Sequence, residues 1–197
     1  MKKIPLLLAA AGAGLFGQAV RADGLTLYAY GSYRSASSVE TASSGSSSIT
    51  GIKPAPGLDL LLSIPEGQDT RLEFMLSGSE HEFEPSGQGK LRARHLQFGG
   101  VKYVEYDQSK GSMYVGLMVG GSQVETPGTR DFQPSASLYG GYEWRPTANL
   151  GLRLEARLLG VFFDTDSYIV CDGGCRARIR SGVWSQGSLG LGVGWRF

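Results

Sequence analysis

Two histidines are the residues of this sequence best suited to acid–base chemistry, and one of them has a serine close by. His81 follows Ser79 by two positions, so both side chains would lie on the same side of a β-strand. Hydrolysis needs a nucleophile, a base and an orienting carboxylate, and Glu73, Glu80 and Glu82 are near in sequence. Serine is abundant in this chain, so the pair is a weak motif, and a surface histidine near a loop is the more ordinary explanation.

The other candidate ligands are scattered along the chain. His95 lies in a stretch with strand character, where it is either a satisfied interior residue or part of a site. The two histidines and two cysteines never come together at the spacing of a metal motif. The sequence therefore predicts neither a bound metal nor a cofactor.

The two cysteines, Cys171 and Cys175, enclose an Asp-Gly-Gly segment. Glycines let the chain turn sharply enough to close so small a ring. An even pair of cysteines in an exported protein predicts a disulfide. A redox-active pair is the alternative, but the usual motif of that kind is one residue shorter and begins a helix.

The end of the sequence indicates which kind of element carries these residues. From Leu189 to Phe197, apolar residues alternate strictly with glycine or arginine, which is the period of a β-strand with one apolar face. That face ends in Trp195 and Phe197. An exposed aromatic strand invites aggregation in a soluble protein, whereas a transmembrane barrel strand needs lipid-facing apolar residues and an aromatic girdle.

The same alternation recurs along the chain, and no segment keeps a helical period. We therefore predict an all-β fold, an eight-stranded antiparallel up-and-down transmembrane β-barrel in a single domain. The predicted strands cover residues 25–34, 58–64, 71–77, 92–106, 112–124, 136–145, 150–162 and 183–197. Short connections rich in turn formers, which would face the periplasm, alternate with longer, extracellular ones. The short connections are 65–69, 107–111 and 145–149, and the longer ones are 35–49, 84–90, 125–131 and 164–182.

Two parts of this barrel call for closer attention. In the fourth strand, a register with Leu96 and Phe98 outward also turns Lys102 towards lipid. A bulge at Gly99–Gly100 would shift the register and remove the conflict. The first long connection, 35–49, is mostly serine with almost no charge, which predicts a flexible, exposed loop.

The first residues predict export. Residues 1–22 have the form of a signal peptide, with Lys2 and Lys3 before a short apolar stretch and Ala22 at the end, so 23–197 would form the barrel. The apolar stretch is too short to span a bilayer as a helix, and a buried N-terminal helix is the alternative. Removal of this segment, with three basic and no acidic residues, changes the formal net charge from +1 to −2. Such a charge gives no basic surface for nucleic acid.

If the apolar face meets lipid, the charged strand positions face a lumen just wide enough to be filled by side chains. Buried charges must be paired, so we expect a network of acids and bases that plugs the barrel. A narrow path for ions or small solutes is the alternative, although no run of one charge suggests a selectivity ring. A soluble eight-stranded barrel with its charges outward is the alternative fold. The inward charges are Arg34, Asp59, Arg71, Glu73, Glu143, Arg145, Arg153, Glu155, Arg157 and Arg196, joined by Tyr28, Tyr30 and Tyr139.

The chain resembles the small outer-membrane β-barrel proteins of Gram-negative bacteria, the group that includes the membrane domain of OmpA, OmpX and the opacity proteins. The resemblance covers the whole sequence. Its more specific parts are His95–Gly100, Leu150–Arg157 and Cys171–Phe197, which are similar to a subgroup with a cysteine pair in the last loop. It implies a location in the cell outer membrane, among outer-membrane lipid and lipopolysaccharide. It transfers no catalytic motif, and the range of the family, from anchoring and adhesion to slow pores, means that fold does not settle function.

The resemblance also suggests roles for two groups of residues. Gly192, Trp195 and Phe197 match the C-terminal signal that the barrel assembly machinery reads in such proteins. Some small barrels of this class modify lipid A, so Ser79 and His81 become candidates for a lipid A hydrolase.

Three arginines of the last long connection are candidates for lipopolysaccharide contact. Arg176, Arg178 and Arg180 stand on alternate positions, as on one face of a strand, and guanidinium groups bind phosphate bidentately. A solvated strand end explains them equally well. Our leading hypothesis is a structural or surface-interaction protein that acts through its extracellular loops with a partner the sequence does not name, and a narrow pore and a hydrolase are the alternatives.

Overall fold

The computed structural model of the chain consists of β-strands joined by turns and loops. The residues that it describes are 24–43, 46–84, 90–107, 111–126, 129–163, 168–170, 176–178 and 182–197. The strands are β1 (Thr26–Ala36), β2 (Val39–Ser43), β3 (Ser46–Ile52), β4 (Ala55–Pro65), β5 (Thr70–Glu84), β6 (Lys90–Asp107), β7 (Gly111–Thr126), β8 (Thr129–Trp144), β9 (Leu150–Phe162), β10 (Tyr168–Val170), β11 (Arg176–Arg178) and β12 (Val183–Arg196). Within these ranges there is no helix long and apolar enough to cross a membrane.

Eight of the strands close into an antiparallel barrel. These are β1, β4, β5, β6, β7, β8, β9 and β12, and each pairs with the next in this order. The ring is closed by β1 and β12, which pair from Thr26 opposite Arg196 to Ala36 opposite Gln186. The predicted fold class, an eight-stranded antiparallel up-and-down β-barrel, is confirmed.

Side chains alternate between the outside of the barrel and the lumen, as the two faces of a strand require. Every barrel strand exposes large apolar side chains, whereas charged side chains such as Glu73 and Arg153 are buried inside. Exposed apolar residues, one from each barrel strand, are Leu27, Leu60, Phe74, Phe98, Leu117, Leu138, Leu154 and Leu191. A continuous apolar exterior of this kind suits the bilayer and would drive association in water, so the alternative of a soluble barrel is not supported.

The seam between β1 and β12 depends on close packing of tyrosine against glycine. Tyr28 and Tyr30 are buried on the lumen side of β1. A β-carbon on Gly194 would lie 2.3 Å from Cε1 of Tyr28, and one on Gly192 would lie 2.6 Å from Cε1 of Tyr30. Only a residue without a β-carbon lets the rings approach the backbone of β12 so closely. The alternating glycines of the last strand therefore have a packing role.

The tight turns lie where the sequence predicts them. β4 ends at Pro65 and β5 begins at Thr70, and β8 ends at Trp144 while β9 begins at Leu150. In bacterial outer-membrane barrels the short turns face the periplasm and the longer loops face outward. We call the two ends of the molecule the short-turn end and the loop end.

Towards the loop end, the strands are longer than predicted. β7 continues to Thr126 and β8 begins at Thr129, so most of the predicted loop between them is strand. Glu125 and Arg130 form an ion pair of 3.4 Å across this hairpin. β5 likewise continues to Glu84. Apolar alternation marks only the lipid-facing part of a strand, and these polar extensions lack it.

The described part of the first long connection forms paired strands, where the sequence predicts a flexible loop. β2 and β3 pair from Val39 opposite Thr50 to Ser43 opposite Ser46. β2 also pairs with β11 and β11 with β10, while Gly51–Ile52 of β3 pair with the end of β5. Backbone pairing with the distant last connection, which composition does not reveal, orders this serine-rich segment. We call β2, β3, β10 and β11 the rim sheet.

The fourth barrel strand, β6, keeps one register past its glycine pair. It pairs with β5 without interruption through Gly99 and Gly100, so the suggested bulge is absent there. Lys102 accordingly faces outward at the short-turn end, with Nζ 3.7 Å from Oδ2 of Asp69. A long lysine side chain in this position reaches the polar interface of the bilayer.

Candidate functional site

An arginine lies in the middle of the lumen between two glutamates. Arg153 on β9 is buried, and its partners Glu73 and Glu143 come from β5 and β8. Nη1 of Arg153 lies 2.9 Å from Oε1 of Glu73, and Nε lies 2.7 Å from Oε2 of Glu143. Because β5 and β9 are on opposite sides of the ring, the contact with Glu73 spans the lumen. A buried arginine needs such partners, since an unpaired buried charge is very costly.

Tyrosines complete the surroundings of this ion network. The hydroxyl of Tyr139 donates a hydrogen bond of 2.7 Å to Oε2 of Glu73, and the hydroxyl of Tyr103 donates to Oε2 of Glu143. The guanidinium carbon of Arg153 lies 4.1 Å from the centre of the Tyr28 ring, within the range of a cation–π contact. Ion pairs, hydrogen bonds and a cation–π contact thus join β1, β5, β6, β8 and β9 across the lumen.

A second ion pair lies one step along β9 towards the loop end. Nη2 of Arg157 is 2.6 Å from Oε1 of Glu155. Tyr114 donates a hydrogen bond of 3.1 Å to the other oxygen of Glu155, and Arg157 donates one of 3.1 Å to Ser137. The guanidinium of Arg157 lies 4.3 Å from the centre of the Tyr139 ring. The shared tyrosine links this pair to the network around Arg153.

Two further ion pairs involve residues singled out from the sequence. Arg145 pairs with Glu143, and Arg34 pairs with Asp59. Eight of the ten charges expected in the lumen thus take part in ion pairs with one another. Acids and bases alternate across the lumen, and no ring of one sign forms among these side chains.

The other two expected lumen charges lie at the short-turn end. Nη1 of Arg71 is 3.5 Å from Oγ1 of Thr26, and its guanidinium carbon is 5.4 Å from the centre of the Tyr103 ring. Arg196 is partly exposed, with its guanidinium beside Gly24. Arg71 is buried and Arg196 is partly exposed to water.

A layer of neutral polar side chains lies next to the ion network on the side of the loop end. Gln97 donates a hydrogen bond of 3.1 Å to Ser135 and accepts one of 2.9 Å from Ser137. His95 is buried in the interior with Nδ1 at 2.6 Å from Oγ of Ser122, while its Nε2 has no hydrogen-bond partner among the described residues, so the expected satisfied residue is only half satisfied. Among the described residues, no three histidine, cysteine or acidic side chains come together as metal ligands.

Near the loop end, the lumen is filled by apolar side chains, which we call the apolar cap. The cap consists of Ile52, Phe83, Leu91, Ala93, Val124, Leu159, Val161, Phe163 and Trp184. Trp184 is buried, and its Nε1 donates a hydrogen bond of 3.2 Å to the carbonyl of Ser37. The cap is absent from the sequence predictions because apolar strand residues were all placed on the lipid side. The signal was present, since Leu159 and Val161 share the parity of Arg157 and must face inward with it.

The candidate nucleophile and base do lie together, inside the barrel mouth. Nε2 of His81 is 3.1 Å from Oγ of Ser79 and 2.9 Å from Nε2 of Gln186, while Nδ1 is 3.0 Å from the carbonyl oxygen of Lys53. A proton on Nδ1, donated to that carbonyl, leaves Nε2 as the acceptor. The three glutamates considered from the sequence pair with basic side chains instead. His81 is buried and faces the lumen, away from membrane lipid.

The residues of the expected assembly signal lie at the short-turn end of the seam. Trp195 and Phe197 face outward and are more than half exposed. The amide of Phe197 donates to the carbonyl of Leu25 at 2.9 Å, and the amide of Gly24 donates to the carbonyl of Phe197 at 3.1 Å. Gly192, the third residue, lies beside the Tyr30 ring as described above. Backbone pairing thus continues to the last residue of the chain.

Several sequence predictions concern parts of the chain outside the described residues. They are the signal peptide 1–22, the disulfide between Cys171 and Cys175, and the side chains of Arg176, Arg178 and Arg180. Only the backbone of β11, which pairs with β2 and β10, is described from this group.

A closed eight-stranded barrel with an apolar exterior and a charged interior defines a transmembrane β-barrel of the bacterial outer-membrane class. Solved structures of this class resemble the chain. Neisserial surface protein A is 15% identical with a TM-score of 0.56, over 88% of this chain and 97% of that one. The outer membrane protein OprG from Pseudomonas aeruginosa is 9% identical with a TM-score of 0.64, over 89% and 96%.

At these identities the likeness concerns the fold. No protein-family model matches the chain, and no curated protein sequence matches it. Barrels of this class lie in the bacterial outer membrane, which is the location predicted from the sequence.

Proposed function

We propose that this protein is an outer-membrane barrel with a closed lumen that acts as a surface-interaction protein through its loop end. The proposal rests on two barriers that follow one another along the lumen. The first is the ion network around Arg153, and the second is the apolar cap around Trp184. A solute would have to displace paired charges and then a packed apolar cluster, and both steps are costly.

The loop end supports an interaction role. The rim sheet joins the first and last long connections and continues onto β5, so this end presents paired strands. An ordered surface loses less conformational entropy on binding than flexible loops do. A partner at the cell surface would therefore meet a surface that is already shaped.

The two alternative functions have weaker support. A pore requires a continuous wet path, and the paired charges lie across the path that ions would take. A lipid A hydrolase requires its nucleophile at the membrane surface, whereas Ser79 and His81 face the lumen with the carbonyl of Lys53 in the place of an orienting carboxylate.

Single-channel conductance of the refolded barrel in a planar bilayer tests the closed lumen. We expect a silent bilayer, with heat-dependent gel mobility as the control for folding and co-flotation with lipid vesicles as the control for insertion. Steady, reproducible openings from folded and inserted protein would overturn the proposal. The narrow pore would then be the better function, and Arg153, Glu155 and Arg157 would be the first residues to replace.

A further inference from the structure

The exterior changes from apolar to charged at one level on β5 and β6. On β6, the outward side chains of Phe98 and Leu96 are exposed and apolar, and the next outward residue towards the loop end is Arg94. On β5, outward Leu76 is followed by outward Gly78. Gly78 pairs directly with Arg94 in the β5–β6 register. Arg94 is therefore the first charge above the apolar band on this side of the barrel, beside a residue without a side chain.

The missing side chain at Gly78 leaves a groove in the outer wall. A β-carbon on Gly78 would meet no atom within 4 Å. The groove has a volume of about 480 Å³, and Leu58, Leu60 and Leu76 line it together with Gly78 and Arg94. Its lining is mostly apolar and includes the cation Arg94 and one acid, Asp59, which pairs with Arg34. Its shape and polarity fit an acyl chain that ends in an anionic group.

The charges around Arg94 also favour an anion. Among the described residues, Arg94 forms no ion pair. Further towards the loop end on the same face, Lys90 and Arg92 share one acid, since Nζ of Lys90 and Nε of Arg92 each lie 2.6 Å from a carboxylate oxygen of Glu80. Lys90 and Arg92 thus contact one carboxylate between them, and Arg94 is left without an ion pair among the described residues. Guanidinium binds phosphate oxygens bidentately and strongly, so a lipid phosphate is a suitable partner for Arg94.

We propose that this groove is a binding site for the lipid A part of lipopolysaccharide. One acyl chain lies over Gly78 between Leu58 and Leu76, and a phosphate binds the guanidinium of Arg94. Arg92, held in place by Glu80, contributes to the same phosphate or to the neighbouring headgroup. Because the longer loops of outer-membrane barrels face outward, the site is in the leaflet that contains lipopolysaccharide. No residue that lines the groove belongs to the last long connection.

Titration of the refolded full chain with diphosphoryl lipid A, followed by native mass spectrometry from detergent, measures binding directly. Loss of one charge-assisted contact in Arg94→Ala should weaken lipid A binding about tenfold. Gly78→Leu should weaken it as well, since it fills the groove and leaves every charge in place. Lys102→Ala is the matched control, because Lys102 is an exposed lysine on the same strand at the opposite end and should leave binding unchanged.

Phosphatidylglycerol, an anionic phospholipid, provides the second arm of the experiment. We expect it to bind more weakly than lipid A and to be insensitive to Gly78→Leu. Heat-dependent gel mobility shows that each variant is folded. The proposal is overturned if Arg94→Ala binds lipid A as tightly as the parent, if Lys102→Ala loses as much, or if phosphatidylglycerol binds equally well.

Discussion

Replacement of Arg153 by methionine tests whether the lumen network stabilises the barrel or merely fills it. In the parent, Glu73 has two partners, Arg153 and Tyr139; in the variant, it keeps only the tyrosine. Glu143 keeps its ion pair with Arg145. Methionine has a similar length and no charge, so the main effect is one buried carboxylate left without a cation. Breaking a buried ion pair from one side costs about 3–5 kcal/mol, and we expect this loss in the free energy of unfolding.

A double variant tests whether the loss of stability comes from the unpaired charge of Glu73. Glu73→Gln combined with Arg153→Met removes both charges, and the glutamine oxygen still accepts the hydrogen bond from Tyr139. Neutral replacement of a whole buried pair is often close to neutral in stability, so the double variant should recover most of the loss. Lys102→Met provides the control, since its exposed pair with Asp69 is worth less than about 1 kcal/mol.

Equilibrium urea unfolding in lipid vesicles measures these free energies. Tryptophan fluorescence reports the transition, because the chain has 3 tryptophans, and gel mobility of unheated samples reports the folded fraction. An unfolding free energy of Arg153→Met within about 1 kcal/mol of the parent value would contradict a stabilising role for the network. A double variant no more stable than the single one would show that the two charges are not coupled.

The same urea titration checks two further predictions. Gly194→Ala should destabilise the barrel by about 1–3 kcal/mol, because its methyl group would overlap the Tyr28 ring; Gly31→Ala, an outward glycine of the same seam with no atom within 4 Å of the added carbon, should be near neutral. Trp184→Ala should cost about 3–5 kcal/mol, because it removes the largest side chain of the apolar cap. Equal effects at Gly194 and Gly31, or a change at Trp184 below about 1 kcal/mol, would contradict the packing described.

The barrel itself could be predicted because its sequence pattern has one physical cause. A strand with lipid on one side and a polar lumen on the other must alternate, and the run from Leu150 to Arg157 does so without exception. The short turns were equally accessible, since residues such as Pro65 and Asn149 mark them. The positions of Arg153 and Glu155 in the lumen follow from the alternation of side chains along the strand, since both lie on the face opposite to the apolar residues.

The parts that could not be predicted depend on contacts between distant segments. In the rim sheet β2 pairs with β11, and the composition of a serine-rich stretch does not indicate a partner strand so far along the chain. The apolar cap was hidden for another reason. Leu91 and Val124 are apolar and face inward, which breaks the simple rule that apolar means outward. Near the loop end, strands rise beyond the lipid, so burial inside the barrel is the only way to remove such side chains from water.

The lumen network connects strands that are far apart in sequence, and this has a consequence for assembly. Arg153 is 80 residues from Glu73, and Tyr30 is 125 residues from Glu155, to which its hydroxyl donates. The first contact joins β5 and β9 on opposite sides of the ring, and the second joins β1 and β9 on either side of β12, so a sheet that is open between β1 and β12 cannot form both of them. In an open sheet within the bilayer, the charges would need water or would remain unpaired, at high cost. Pairing of β1 with β12 and satisfaction of the lumen charges must therefore occur together, which makes closure of the barrel a cooperative step.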